Sequence, residues 1–226
     1  TRHFCDDKGR KKSYPAPRPA ISVGNITVGG TGKTPHTEMI IDLLLRDEDF
    51  CNSNIAVLSR GYKRKTKGFQ QVTQDGTARQ FGDEPLQIKK HFPQITVAVD
   101  KSRVNGLGIL NRPQLRLENK RAAKRCIDPE FPASDIVVLD DAFQYRKLRP
   151  DLSVVLIDFN RPIFRDRLIP LGKLRDLTSR IHAADVVIVT KCPYEINEWE
   201  RSQWADALKL KGYSKVSCEG TTPEGK

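Results

Sequence analysis

The chain has 226 residues, 38% of them hydrophobic and 30% charged, with a mean hydropathy of −0.53 and a net charge of +11. That is enough for one large domain or two small ones, and no run of about 18 apolar residues is present to cross a bilayer. The five cysteines, Cys5, Cys51, Cys126, Cys192 and Cys218, are odd in number and scattered without a C-x-x-C pair, which argues against a disulfide framework or a zinc site and favours a reducing compartment.

Residues 1–19 form a basic N-terminal segment, with cations from Arg2 to Arg18. A folded domain is expected over 20–211 and a tail over 212–226. Three further basic blocks follow: Arg60 with Lys63, Arg64, Lys65 and Lys67; Arg112 to Arg125; and Arg161 to Arg180. Such blocks attract anionic membrane, phosphorylated substrate or nucleic acid, or serve only as solvated faces. The blocks lack interleaved aromatics and any nucleic-acid-binding module, so no nucleic acid is expected.

The first predicted strand, Ala20–Val23, runs into Gly24-Asn-Ile-Thr-Val-Gly-Gly-Thr-Gly-Lys-Thr34. This is the pattern of a phosphate-binding loop. Backbone N–H groups of Thr27, Val28, Gly29, Gly30, Thr31 and Gly32 would close around a polyphosphate. Lys33 would reach the β/γ oxygens, and the Thr34 hydroxyl would ligate Mg²⁺. A helix starting near Lys33 adds its positive end. Thr27 stands where the usual pattern has glycine, so the turn falls to Gly29, Gly30 and Gly32. The alternative is a glycine-rich hairpin with no ligand.

Helical periodicity follows over Thr37–Leu45, with Met39, Ile40, Leu43 and Leu44 on one face. Further strands are predicted at Ile55–Leu58, Ile95–Val99, Ile136–Leu139, Val154–Ile157 and Val186–Val189. Several are continuously apolar, as in parallel strands buried on both faces. Helical patterns at Glu84–His91 and Trp199–Leu210 alternate with them. The fold class is therefore α/β, P-loop NTPase-like, with a mostly parallel sheet and flanking helices. Residues 111–131 break the rhythm and read as an insertion.

Ligands in such sheets bind at the carboxyl ends of strands. Asp140 and Asp141 end one apolar run as a Walker B pair would, holding Mg²⁺ with the P-loop threonine. Gly82-Asp83-Glu84-Pro85 puts two carboxylates before a helix, either as caps or with Asp83 accepting an acceptor hydroxyl's proton. Arg60 follows another strand, as a surface cation or as a contact to the transferring phosphoryl group. The four histidines show no metal-ligand spacing. Thr190-Lys191 has part of a guanine-reading motif but lacks its aspartate.

Five motifs in order carry a resemblance: Val23–Pro35, Leu58–Tyr62, Gly82–Pro85, Leu139–Tyr145 and Leu168–Arg175. Together they resemble the tetraacyldisaccharide 4′-kinase family, the lipid A kinases of Gram-negative bacteria, over roughly Pro15 to Lys191. The resemblance implies transfer of the ATP γ-phosphate to the 4′-hydroxyl of a tetraacyldisaccharide 1-phosphate, giving lipid IVA, at the cytoplasmic face of the bacterial inner membrane. It implies ATP and Mg²⁺ as cofactors, the lipid A disaccharide precursor and the anionic membrane surface as partners, and no protein partner. Asp83 would be the base. Thr34, Glu84, Asp140 and Asp141 would manage Mg²⁺, and Asp141 would also pair with a histidine of a C-terminal lobe. Ala142 and Tyr145 depart from the family's glycine and histidine. Against the family pattern, the membrane-anchoring helix before Thr1 and the C-terminal lobe after Gly212 are expected to be absent, so the chain is expected to be a truncated kinase that binds nucleotide and turns over poorly. A nucleotide-dependent switch ATPase without a lipid acceptor is the alternative.

Overall fold

The computed structural model describes residues 13–114 and 131–208. The strands among the described residues are β1 (Tyr14–Pro15), β2 (Ala20–Gly24), β3 (Ile55–Ser59), β4 (Gln70–Gln71), β5 (Thr96–Val99), β6 (Ile136–Asp140), β7 (Leu148–Arg149), β8 (Leu152–Asp158) and β9 (Val186–Thr190). Seven build one sheet in the order β4-β5-β3-β6-β2-β8-β9, and β1 pairs with β7 beside it. Every neighbour pair in the large sheet is parallel except β4 with β5. All six strands predicted from apolar runs are present.

Parallel strands need crossovers. Among the described residues α1 (Lys33–Arg46) links β2 to β3, α2 (Ala78–Phe81) and α3 (Asp83–His91) lie between β4 and β5, α4 (Arg103–Asn111) follows β5, and α5 (Glu198–Leu208) follows β9. Strand alternation sorts the core into two faces. Ile55 and Val57 of β3 join Val23, Val138, Ile41 and Ile88 on one face; Ala56 and Leu58 join Val137, Leu139, Leu107 and Leu110 on the other. A third cluster, around Val155, Ile157, Leu174 and Trp204, seats α5.

Two differences from the sequence reading have local causes. In α1 the buried positions are Thr37 and Ile41, while Met39 and Leu43 face solvent. The helix begins at Lys33, after Gly32 in the left-handed conformation (φ 82°), and Thr37 and Ile41, four residues apart, share the face packed on the sheet. The predicted face is therefore rotated, and Ile40, Leu44 and Leu45 are only partly packed. The second difference is α4, which the periodicity did not show. Gly106 and Gly108 interrupt its pattern, yet a Cβ at Gly106 would lie 2.8 Å from the Leu58 methyls. The glycine lets α4 settle closely on β3.

The expected insertion begins where α4 ends. Residues 115–130 lie outside the described residues, as do the basic residues 1–12 and the 212–226 tail. Phe131, where description resumes, stacks on Phe69 with ring centroids 6.0 Å apart.

Candidate active site

The site lies at the carboxyl ends of β2, β3 and β6. These strands are adjacent, with Val23 opposite Asp140 and Leu58 opposite Leu139. Each delivers a loop to the same edge of the sheet.

From β2 comes Asn25 to Gly32. Gly24 has to be glycine, because a Cβ there would fall 2.6 Å from the Phe143 Cβ. Left-handed backbone occurs at Gly29 (φ 115°) and Gly32 (φ 82°). Thr27 needs no such freedom. It is buried, bridges Leu174 in antiparallel fashion, and is followed by a 2.7 Å bond from the Val28 N–H to the Lys173 carbonyl. The loop thus tolerates threonine because the turn lies further on. The Asn25 amide spans the loop's base, donating to Thr31 Oγ1 at 2.9 Å and to Thr27 Oγ1 at 3.5 Å. Lys33 and Thr34 open α1 directly behind it.

From β6 come Asp140 and Asp141, in different environments. Asp140 is buried; its Oδ2 accepts from the Ser59 hydroxyl at 2.9 Å, and its backbone carbonyl accepts from Arg103 Nη2 at 2.8 Å. Its Oδ1 is buried with no hydrogen-bond partner among the described residues. Burial, with the nearby Glu84 carboxylate next in weight, pushes its pKa up to about 6, against the opposing Ser59 bond. Asp141, with φ 49°, turns out of the strand. Burial pushes its pKa up too, but the Arg175 hydrogen bond and charge, Lys33 and Arg103 outweigh it and hold it below the ordinary value. Arg175 grips it as a fork, at 3.0 Å and 3.4 Å, and also reaches Asn25 Oδ1. Lys33 Nζ lies 3.8 Å from Asp141 Oδ1.

From β3 come Ser59, Arg60, Gly61 and Tyr62. Gly61 (φ 65°) and Gly82 (φ 95°) let this turn and the start of α3 touch: a Cβ at Gly61 would lie 2.8 Å from the Phe81 carbonyl oxygen, and one at Gly82 3.1 Å from that of Tyr62. Asp83 and Glu84 are exposed on the first turn of α3. Gly82, not Asp83, occupies the N-cap, and no side chain caps the helix. Arg60 is exposed, close enough to Arg103 to disfavour that guanidinium's charge.

The candidate nucleotide and metal residues Thr27 to Thr34, Glu84, Asp140 and Asp141 thus converge on one edge. The turns bearing Arg60 and Asp83 stand beside them. Sequence reasoning gave no role to Arg175, Asn25, Ser59 or Arg103. The first three lie inside recognised motifs, which is a usable signal. Arg103, buried and bonded to the Asp100 and Asp140 carbonyls, has none.

The donor set suits a hard cation. Among the described residues there is no group of three His, Cys, Asp or Glu side chains poised around one point. Asp140, however, has a buried oxygen without a partner, and a cation would supply one. Thr34 and Glu84 are the other oxygen donors offered. Asp141 is already engaged by Arg175 and Lys33.

A raised carboxylate pKa has a stability signature. The unfolded Asp140 gives up its proton near 3.8 and the folded one near about 6. Between those values only the folded state keeps the proton, so stability falls as pH rises and then levels off, by about 3 kcal/mol in all. Asp140→Asn should therefore make the ligand-free chain harder to unfold in urea at about pH 8, with the advantage shrinking to nothing near about pH 4. An advantage that grew on acidification would contradict the burial argument.

The comparisons with known proteins bear on family and fold. The sequence model of the tetraacyldisaccharide-1-P 4′-kinase family matches residues 1–222. A tetraacyldisaccharide 4′-kinase of Parabacteroides distasonis is 49% identical over 175 residues, covering 77% of this chain and 42% of the relative. That of Phocaeicola vulgatus is 41% identical over 198 residues, covering 88% and 49%. A crystal structure described as the "apo" form of LpxK from Aquifex aeolicus in complex with ATP superposes with a TM-score of 0.67 at 33% identity, covering 87% of this chain and 56% of that one. The chain spans about half the length of the curated relatives it matches. With a P-loop kinase fold and a family match over nearly its whole length, the chain belongs to the tetraacyldisaccharide 4′-kinase family.

Proposed function

We propose that the protein of this chain transfers the γ-phosphate of ATP to the 4′-hydroxyl of a tetraacyldisaccharide 1-phosphate, giving lipid IVA in lipid A biosynthesis. One observation carries the reading: a P-loop, a strand-end carboxylate pair and a second acidic turn meet at one sheet edge, in a chain of this family. The loop's N–H groups and Lys33 bind the triphosphate. Lys33 is held toward the site by Asp141, which is itself oriented by Arg175. Asp140, Thr34 and Glu84 are the residues that would hold Mg²⁺, which when bound neutralises charge on the β and γ oxygens. Asp83 takes the acceptor hydroxyl's proton, and Arg60 steadies the transferring phosphoryl group. Its position off the N-cap supports Asp83 in that role, since no capping bond engages it.

Measuring ADP release with and without the disaccharide acceptor in detergent tests this against a switch ATPase. Release that depends on the acceptor supports the kinase; equal release without it contradicts the kinase.

The substrate is a lipid, so the work is done at a membrane, and we place it on the cytoplasmic face of the bacterial inner membrane. No helix among the described residues is long and apolar enough to cross a bilayer. Charge contributes to attachment, and the +11 chain suits an anionic surface. Each basic residue near such a surface contributes about 1 kcal/mol. Co-sedimentation with phosphatidylserine-containing vesicles should exceed that with neutral vesicles and fall with added salt. Equal binding to both would remove the electrostatic contribution.

A further inference from the structure

The P-loop is pinned from its far side by the ends of β8 and β9. These strands pair Asp158 opposite Thr190, so Lys191 emerges directly beside the loop. Lys191 Nζ donates to the Gly30 carbonyl at 2.6 Å and pairs with Asp158 Oδ2 at 2.8 Å. The Thr190 hydroxyl donates to the Thr31 carbonyl at 3.1 Å. Asp158 is buried, and its Oδ1 accepts the Asn160 N–H at 3.0 Å. Lys191 is a non-glycine residue at φ 57°, a conformation that costs on the order of 1 kcal/mol or more and persists only when the surroundings impose it.

These contacts bear directly on phosphate binding. A trans peptide is planar, so its C=O and the following N–H point opposite ways. Holding the Gly30 carbonyl toward Lys191 directs the Thr31 N–H away from it. Holding the Thr31 carbonyl toward Thr190 does the same for the Gly32 N–H. Consecutive N–H groups sharing one direction make an anion-binding concavity. The loop is rich in glycine and would otherwise lose much of this order, since Gly30 has no atom near the place of a Cβ.

We propose that Lys191, clamped by Asp158, is a positioning residue that pre-sets the P-loop amides for the triphosphate. The proposal rests on the kinase reading only in taking ATP as the ligand, and it acts without touching the lipid acceptor. Its test is ATP affinity by equilibrium titration, with kinase KM values for both substrates, in wild type, Lys191→Met, Lys191→Arg and Asp158→Asn. Lys191 is half exposed, so methionine is tolerated there, and Asp158→Asn loosens the clamp without touching the lysine. Lys191→Met should bind ATP about ten-fold more weakly, as expected for one charge-assisted hydrogen bond lost from the cradle. The KM for ATP should rise in step, the KM for the lipid should stay put, and arginine should restore most of the affinity. Asp158→Asn should show a smaller loss of the same kind. ATP affinity unchanged in Lys191→Met and Asp158→Asn overturns the proposal, as does an equal rise in both KM values. A wild-type chain that binds ATP but phosphorylates no lipid overturns the kinase reading instead, and the ranking of ATP affinities still decides the role of Lys191.

Discussion

Asparagine at position 83 should slow phosphoryl transfer by about 10²–10⁴-fold, the usual cost of losing a general base, while ATP affinity stays nearly intact. Asparagine keeps the shape and hydrogen-bonding reach of aspartate but cannot accept the acceptor's proton. The base acts mainly in the transition state, so kcat and kcat/KM should fall together. Asp83 lies on the first turn of α3, one residue past the Gly82 N-cap, and makes no capping bond. A purely structural role would therefore leave Asp83→Asn almost silent. Steady-state kinetics of a folded Asp83→Asn variant separates the two, and near-normal lipid phosphorylation would remove Asp83 from the mechanism. Glu84→Gln should differ, with a loss partly recovered at raised Mg²⁺, because Glu84 sits close enough to Asp140 to shift its ionisation.

The second large effect belongs to Lys33. Lys33→Ala should weaken ATP binding and lower transfer by about 10²–10³-fold, the scale seen when one charge-stabilising donor leaves a phosphoryl or oxyanion site. The ammonium lies 3.8 Å from Asp141, whose carboxylate is also gripped by Arg175. Removing it leaves Asp141 with one cation fewer beside the incoming phosphates, so like-charge repulsion adds to the lost attraction. Thr34→Ala should behave differently and chiefly raise the Mg²⁺ needed. Nucleotide titrations with and without Mg²⁺ distinguish them. Unchanged ATP affinity in Lys33→Ala would remove the phosphate-binding role of the loop.

The sheet was legible because its strands are short, continuously apolar runs buried on both faces, as Ile55–Ser59 and Ile136–Asp140 show. What surrounds the sheet was less so. In α1 apolar residues lie all round much of the helix, so periodicity over Thr37–Leu45 did not single out the face on which Thr37 and Ile41 are buried. Helix α4 hides behind glycines whose value lies in a close approach to Leu58. The antiparallel edge strand Gln70–Gln71 is two polar residues long and carries no pattern.

The candidate site followed the same division. Residues inside contiguous motifs, such as Lys33 or Asp140 and Asp141, could be singled out from order and spacing. A partner outside every motif could not: Arg103 reaches the Asp100 and Asp140 carbonyls from α4. Arg175 lies inside a motif, but its contacts to Asp141 and Asn25 are made only by the folded chain. Thr27 looked like a defect of the loop until its bridge to Leu174 showed that its backbone needs no glycine.

If the γ-phosphate of ATP ends on the 4′-oxygen of the disaccharide, incubating the protein with ATP, Mg²⁺ and tetraacyldisaccharide 1-phosphate and assigning the new phosphate by phosphorus–proton NMR of the extracted lipid reveals it. One new phosphomonoester coupled to the 4′-proton, formed only with the acceptor present, is the expected result. Release of the γ-phosphate solely as inorganic phosphate, or its attachment to another hydroxyl, is the opposite one and rules out 4′-phosphorylation.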